Sequence, residues 1–393
     1  MPIFMDRHDL PESVTAEEVA RLHQEDLKIE HKFGCKGMTY WFDEVRNTAF
    51  CLIQAPNKQA LQDMHNEAHG AVANRIIEVE PSIVESFLGR IEDPAKARNT
   101  DLNIINDPAF RILMVIRINK CVSAQNLAAC DEAMTQIINE FDGTEVQSER
   151  YRVLISFRSV SAALNCAQKL KDYFRDRDFE LTQIRELSKV KMQPTDIRPK
   201  DDLVIKCGLS SGLPFEQEEG LFKQTIEQAE RLCHAVKGKI IISSDLSDLY
   251  DSENQNTGLP QRDIRTLNPE EERFLNALMD FLDISYTRAD LKVEHFSSNL
   301  GLSKAQLYRK VKGLTGKSLN TFVKEYRLEK ALQLLLKKRG NISEVAFDTV
   351  FNSPAYFSKC FSQAYHILPS QPVSYTHLTL PTSSVMGWGG GGG

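Results

Sequence analysis

Residues 292–316 and 341–365 run through the same succession twice: a short helix, a tight turn and a second helix opened by a capping residue. In the first copy, 293–299 reads as the short helix and Gly301 as the turn. Ser303 is the cap and 304–314 the second helix, closed by Gly316. In the second copy, 342–349 is the short helix, Asn352-Ser353-Pro354 gives an N-cap and a proline at the first helical position, and 355–365 is the second helix. That succession is the helix-turn-helix pattern and leaves few other folds open. A long helix, about 319–338, joins the copies, with Phe322, Leu328, Leu332 and Leu335 at helical spacing. A connector of this kind can hold two reading helices about 34 Å apart, one turn of B-form DNA. An amphipathic helix over 269–284 precedes them, with Glu270, Glu271 and Glu272 in its first turn.

The outward faces suit DNA. Leu307 and Val311 point to a core, which leaves Ala305, Tyr308, Arg309 and Lys312 on the outer face. A guanidinium at Arg309 can fork onto a guanine edge, whereas Lys310 and Lys312 suit phosphates. In the second copy Phe357 and Phe361 point inward and Ala355, Ser358 and Lys359 outward. The charge follows the same division. The chain carries −6 overall, but residues 301–340 hold eleven Lys/Arg against two Asp/Glu. Over 264–371 the count is sixteen against eleven, so the remainder carries −11. A basic face on an acidic protein points to a polyanion partner.

At 393 residues the chain has room for two to four domains. No run of about eighteen apolar residues occurs, so no membrane span is expected. The first residues, Met1-Pro2-Ile3-Phe4-Met5-Asp6, lack the basic-then-apolar order of a signal peptide. The eight cysteines (35, 51, 121, 130, 166, 207, 233, 360) include no CxxC pair, which fits reduced thiols in a cytoplasm.

The C-terminal third resembles the AraC family of bacterial transcription regulators. Residues 302–316 (LSKAQLYRKVKGLTG) match the family's first reader, 326–335 (YRLEKALQLL) its linker helix, and 341–347 with 351–361 its second reader. The resemblance implies Ala305, Tyr308 and Arg309, then Ala355, Ser358 and Lys359, as base readers on double-stranded DNA. Two positions depart from the family. Val350 and His366 stand where glycine is usual. A β-branched residue at positive φ costs about 1 kcal/mol or more, so either the turn is reshaped or Val350 is a base-call error.

Residues 1–92 form the first block. Alternation over 2–8, a capping box at Thr15-Ala-Glu-Glu18 opening a helix to about Phe33, strands over 38–42 and 48–55, a helix over 56–69 and a strand over 75–79 give the order βαββαβ. That order implies a ferredoxin-like sandwich. Its one helical layer leaves a sheet face bare, a face commonly buried by forming a homodimer. His65 and His69 lie i,i+4 on one helix face, a spacing that lets two imidazoles meet one metal. His8 shares a strand face with Asp6 and Phe4, and His23 lies on the first helix. Imidazole with carboxylate suits nickel, zinc or copper. The strings MPIFMDRH, HQEDL, YWFDE, AFCL, AP and HNEAHG resemble a small dimeric ferredoxin-like family described as nickel-binding. The ligands expected are His8, His65 and His69, then His23, with Ni2+ or another divalent transition metal as cofactor.

A polar linker, 93–107, leads to a middle block over 108–251. Strands at 111–118, 152–157, 203–210 and 239–243 and helices near 124–141, 159–176 and 221–236 make another α+β layer fold. Residues 207–212 (CGLSSG), 220–222 (GLF), Thr225, 229–233 (AERLC) and 239–243 resemble the second half of class III nucleotide cyclases, which implies a cyclase-like α/β sandwich. That chemistry needs two aspartates on two metal ions. Their places fall in Val115-Ile-Arg117 and at Tyr151, and Glu227 replaces the family's asparagine although Arg231 persists. A degenerate, non-catalytic domain is therefore expected. A second linker spans 252–263, the DNA-binding module 264–371, and a tail 372–393 in which VSYTHLTLPT resembles a translated sequencing-library adapter and the final glycines a poly-G read-through.

The sequence thus implies a multidomain α+β chain: ferredoxin-like domain, cyclase-like α/β sandwich and all-α double helix-turn-helix. The function expected is cytoplasmic, homodimeric, metal-responsive transcription regulation without enzymatic activity. The alternatives are a nucleotide cyclase with regulatory flanks and a metal-buffering protein.

Overall fold

A computed structural model of the chain describes residues 1–71, 73–94, 102–118, 124–149, 151–187, 205–216, 220–235, 240–254, 263–365 and 367–370. Cys121, Lys239, His366 and the adapter-like tail lie outside the described residues. The chain divides into two compact units, Met1–Asn276 and Ala277–Gly393.

The first unit opens with β1 (Ile3–Asp9), α1 (Ala16–Ile29), β2 (Lys36–Asp43), β3 (Thr48–Gln54), α2 (Lys58–Ala68) and β4 (Arg75–Val79). Local chemistry sets the helix starts. Thr15 and Glu18 close a reciprocal capping box on α1, and the Asn57 side chain accepts the Ala60 N–H at the start of α2. The strands form an antiparallel sheet in the order β2-β3-β1-β4, the ferredoxin-like arrangement expected from βαββαβ. Strand alternation divides its residues. Phe4, Tyr40, Phe42, Cys51 and Ile53 pack beneath α1 and α2, whereas Met5, Trp41, Phe50, Leu52 and Ile77 point to the opposite face.

A helix the periodicity did not reveal, α3 (Pro81–Leu88), follows. Then come β5 (Arg111–Ile118), α4 (Ala124–Glu140), β6 (Thr144–Glu149), β7 (Arg152–Phe157), α5 (Val160–Leu187), β8 (Ile205–Gly212), α6 (Lys223–Leu232), β9 (Ile240–Ile242), α7 (Ser244–Glu253) and β10 (Ile264–Thr266). The sheet order is β10-β9-β8-β5-β7-β6. Its four-strand part, β8-β5-β7-β6, repeats the topology of the first sheet, and β9 and β10 extend it by parallel pairing. Because Ile264 pairs with Ile240, residues 264–266 complete this sheet rather than begin the DNA-binding module.

The bare face of the first sheet is not left for a second copy of the chain. Met5, Trp41, Phe50, Leu52 and Ile77 share one apolar cluster with Phe87 and Leu88 of α3, with Leu113, Val115 and Leu154 of the second sheet, and with Phe215 and Phe222. The physical motive for dimerising through that face is satisfied within the chain. Arg111, 1% exposed, fixes the junction. Its guanidinium donates to the carbonyls of Phe87 at 3.0 Å and Leu88 at 3.2 Å, where α3 runs out of internal partners, and to Pro108 at 2.6 Å.

The second unit takes up α8 (Pro269–Ser285) part-way along and contains α9 (Val293–Leu300), α10 (Lys304–Thr315), α11 (Leu319–Leu336), α12 (Ile342–Asp348) and α13 (Pro354–Tyr365). The two turns are built alike. Gly301 has φ 63° and the next N–H, of Leu302, reaches back to the Ser297 carbonyl at 3.0 Å. Val350 has φ 62°, with Phe351 N–H on the Ala346 carbonyl at 2.8 Å and its own N–H on Phe347 at 2.9 Å. Both are Schellman ends, which need a left-handed residue. The turn at Val350 is therefore not reshaped; valine adopts the conformation that glycine adopts freely in the first copy. Among the described residues no helix is long and apolar enough to cross a membrane, and Cys35, Cys51, Cys166, Cys207, Cys233 and Cys360 are free and buried.

Candidate metal centre and nucleic-acid interface

Between the first sheet and its helical layer lies a buried cluster of imidazoles and carboxylates. Strand β1 supplies Asp6 and His8 two residues apart on the inner face, β3 supplies Cys51 opposite Asp6, α1 supplies Asp26, and α2 supplies His65, with His69 at its end. Asp6 and His65 are 0% and 1% exposed. His65 sits between the two carboxylates, Nε2 at 2.8 Å from Asp6 Oδ2 and Nδ1 at 3.0 Å from Asp26 Oδ1. A second imidazole reaches each acid: His8 Nε2 lies 3.4 Å from Asp6 Oδ1 and His69 Nε2 3.2 Å from Asp26 Oδ1. Asp6 Oδ1 also accepts the Cys51 N–H at 3.0 Å.

Ionised carboxylates accept only, so an imidazole flanked by two of them satisfies both as an imidazolium. The electrostatics agree. Burial works against charge on His65, yet its contacts with Asp26 and Asp6 outweigh it and raise the ring to about 10. Burial likewise opposes ionisation of Asp6, but the His8 and His65 rings hold its carboxyl far below the usual range. Asp26 is depressed in the same way by His65 and His69. Burial, with Asp6 and Asp26 beside it, pushes the Cys51 thiol well up.

The donor set fits a divalent transition metal. Asp6, His8 and Cys51 form one group, and Asp26, His65 and His69 another, with one ligand atom of each member within 4.8 Å of the others. His65 touches both acids. Ligand atoms about 2.0–2.2 Å from a common ion lie about 3 Å apart, close to the imidazole–carboxylate separations here. Three of the four histidines expected as ligands are thus brought together. His23 is not in either group. It is 4% exposed and packs against the Tyr40 ring at 4.9 Å, and its Nδ1 has no hydrogen-bond partner among the described residues. Burial lowers its pKa. Sequence reasoning did not include the acids among the candidate ligands. Asp6 was two residues from His8 on the same strand face, and Asp26 three residues after His23 on one helix, but neither spacing distinguishes a ligand from a surface acid.

In the second unit, α10 turns Leu307 and Val311 into the core at 1% and 0% exposure. Ala305, Tyr308, Arg309 and Lys312 are exposed and Lys310 is half-buried. The Lys312 ammonium also donates to the Gly316 carbonyl at 2.8 Å, closing the helix. On α13, Phe357 and Phe361 are buried, Ala355 and Lys359 are exposed and Ser358 is half-buried. Ser303 and Ser353 accept the N–H groups of Gln306 and Tyr356, both at the third helical position, so the two outward faces begin at matching caps.

Comparison with known proteins places both ends of the chain. The family described as nickel responsive protein SCO4226-like matches residues 4–79, and a helix-turn-helix domain family matches 296–372. Over 106 residues the chain is 35% identical to Histidine kinase P4 of Formosa agariphila, 27% of this chain and 8% of that one. Over 70 residues it is 40% identical to the HTH-type transcriptional regulator MtrA of Neisseria gonorrhoeae, 18% of this chain and 23% of that one. The chain therefore spans less than a quarter of the length of either curated relative. Among solved structures, SCO4226 from Streptomyces coelicolor A3(2) is 32% identical and covers 20% of this chain and 94% of its own, with a TM-score of 0.19.

Proposed function

We propose that this chain, which carries an N-terminal domain of the SCO4226-like nickel-responsive family and a C-terminal helix-turn-helix domain of the AraC type, is a cytoplasmic transcription regulator whose DNA binding is biased by a divalent metal, nickel first among candidates. The observation that carries the metal half is the burial of Asp6 and Asp26 among His8, His65 and His69. Two carboxylates so far from water need positive charge. An imidazolium supplies it here, and a divalent ion would supply more. His8, His65 and His69 would hold the metal with Asp6 and Asp26, and Cys51 would join only by losing a thiol proton that its surroundings retain. His23, among the ligands expected from the sequence, would then serve as a neutral ring behind the site.

On the DNA half, Ala305, Tyr308 and Arg309, then Ala355, Ser358 and Lys359, are the proposed base readers, with Lys310 and Lys312 on phosphates. The proposed division is 1–92, 108–266 and 267–371, with the strand at 264–266, first assigned to the last block, passing to the middle one. The middle block is read as a non-catalytic spacer. Val115, at one place where a cyclase would carry a metal-binding aspartate, lies in the apolar cluster. A homodimer is retained as the oligomeric proposal, but it must use a surface other than the covered face of the first sheet.

Isothermal titration of the full chain with nickel tests the metal site. Heat of binding is expected in the wild type and its loss in the His65→Ala/His69→Ala double variant. No heat in the wild type would remove the metal from the account. Cyclic nucleotide formation by the purified protein would reinstate the cyclase alternative. Tight nickel binding with no effect on DNA affinity would favour the buffering alternative.

A further inference from the structure

In the second unit the two helix-turn-helix copies meet at a seam, and a cleft of about 230 Å³ opens along it. The start of α9 from the first copy, one face of α11 and the turn before α13 from the second copy line it together. Its buried lining is apolar: Phe296, Leu319, Val323 and Phe351. Its charged lining is cationic. Lys292 and Lys324 are exposed and Arg327 is half-buried, and among the described residues no aspartate or glutamate lines the cleft. The Arg327 Nε and Nη2 groups donate to the carbonyls of Tyr286 and Arg288, both at 2.8 Å, and these acceptors carry no counter-charge. Neither Arg327 nor Lys324 forms an ion pair among the described residues. A cation drawn partly out of water with no acid beside it favours an anion.

Val350 gives an independent sign. Its φ is 62°, and Gly301 takes 63° in the equivalent turn, where an added β-carbon would meet nothing within 4 Å. A β-branched residue in this conformation costs about 1 kcal/mol or more, and such strain gathers at ligand clamps. Val350 is half-buried and lines the cleft. Glycine would relieve the turn and leave that wall open.

We propose that the cleft binds a small organic acid with a compact apolar body and a single carboxylate, the body against Phe296, Val323, Val350 and Phe351 and the carboxylate toward Lys324 and Arg327. A DNA phosphate would use the cations but leave the apolar lining bare, so the combination favours an amphipathic ligand. Such a ligand touches both helix-turn-helix copies at once. The site lies within the second unit and needs no metal in the first.

The metal-free full chain is titrated by calorimetry with benzoate, with benzyl alcohol (the same body without the charge) and with inorganic phosphate (charge without the body). Saturable benzoate binding at millimolar concentration or below is expected, about tenfold tighter than either control. Lys324→Gln, at an exposed position, should weaken benzoate about fivefold with the thermal midpoint unchanged. Val350→Gly should weaken it about threefold although it relieves the turn, so a lost fold would not explain the lost binding. The proposal is overturned if benzoate does not bind at millimolar concentration, or if either variant binds it as tightly as the wild type. It is equally overturned if either control binds as tightly as benzoate; phosphate doing so would make the cleft a seat for the nucleic-acid backbone.

Discussion

The Arg7 guanidinium donates to the Phe215 carbonyl at 3.1 Å, while its neighbours along β1, Asp6 and His8, turn to the opposite face and enter the cluster of imidazoles and carboxylates. One strand thus borders the candidate metal site on one side and the segment between β8 and α6 on the other. Arg75 repeats the contact on the Glu216 carbonyl at 3.1 Å, and the Phe50 and Phe215 rings meet edge to face at 5.4 Å. A change in how β1 is held should be felt at 213–216. Nickel is expected to slow amide hydrogen exchange over those residues in the wild type. Arg7→Ala should abolish that slowing, leave nickel affinity within about threefold, and cost roughly 1 kcal/mol of stability. Equal slowing in wild type and variant would show that β1 is not the link.

His65 answers two buried acids at once, so removing it is expected to be the costliest single change in the cluster. His65→Ala leaves Asp6 and Asp26 short of a shared counter-charge and should destabilise the metal-free protein by about 3–5 kcal/mol. His69→Ala removes a partner from Asp26 alone and should cost clearly less. Urea unfolding of the two variants side by side checks the order; equal costs would contradict it.

The fold of the first ninety residues was legible because local signals agreed: alternation in β1, the capping box at Thr15 and the i,i+4 histidines. What covers the sheet was not legible. Trp41 and Phe50 read only as buried on some face, and their companions Leu113, Leu154 and Phe215 lie sixty or more residues away. α3 was hidden because its eight residues sit between a strand and a polar linker, with no room for a period to show. The start of the last module was misplaced for a similar reason. Three residues, Ile264–Thr266, belong to a sheet by a pairing that only the tertiary structure displays. In the cluster, histidines stand out by rarity, whereas Asp6 and Asp26 are two acids among fifty-four acidic residues.

Stability should depend on pH with a defined sign. His65 is raised from 6.5 to about 10 on folding, so its contribution is full below 6.5 and disappears as pH rises through about 10. His23 is lowered by burial, so its contribution is present above 6.5 and is lost as pH falls below that. Asp6 and Asp26, both depressed, withdraw theirs only as pH falls below 3.8. Among these groups the metal-free protein is therefore expected to be most stable near pH 6.5. Nickel affinity should rise with pH above that point, because the metal must displace the His65 proton. Urea midpoints that keep climbing toward pH 9 would contradict the assignment.

Val350 holds a left-handed conformation that Gly301 holds in the equivalent turn. Val350→Gly removes that strain and is expected to stabilise the second unit by about 1 kcal/mol, less the entropy glycine adds to the unfolded chain. Unchanged or reduced thermal stability would show that contacts of the valine side chain outweigh the strain.

The central claim is that metal in the first unit alters DNA binding by the second. The direct measurement is the affinity of the full chain for a duplex selected by the protein itself from a random-sequence library, read by fluorescence anisotropy at fixed salt with and without nickel. An affinity change of about tenfold or more is predicted for the wild type, none for His65→Ala/His69→Ala, and loss of specific binding in both metal states for Arg309→Ala. Identical affinities with and without nickel, in a protein that calorimetry shows to be nickel-bound, would contradict the account.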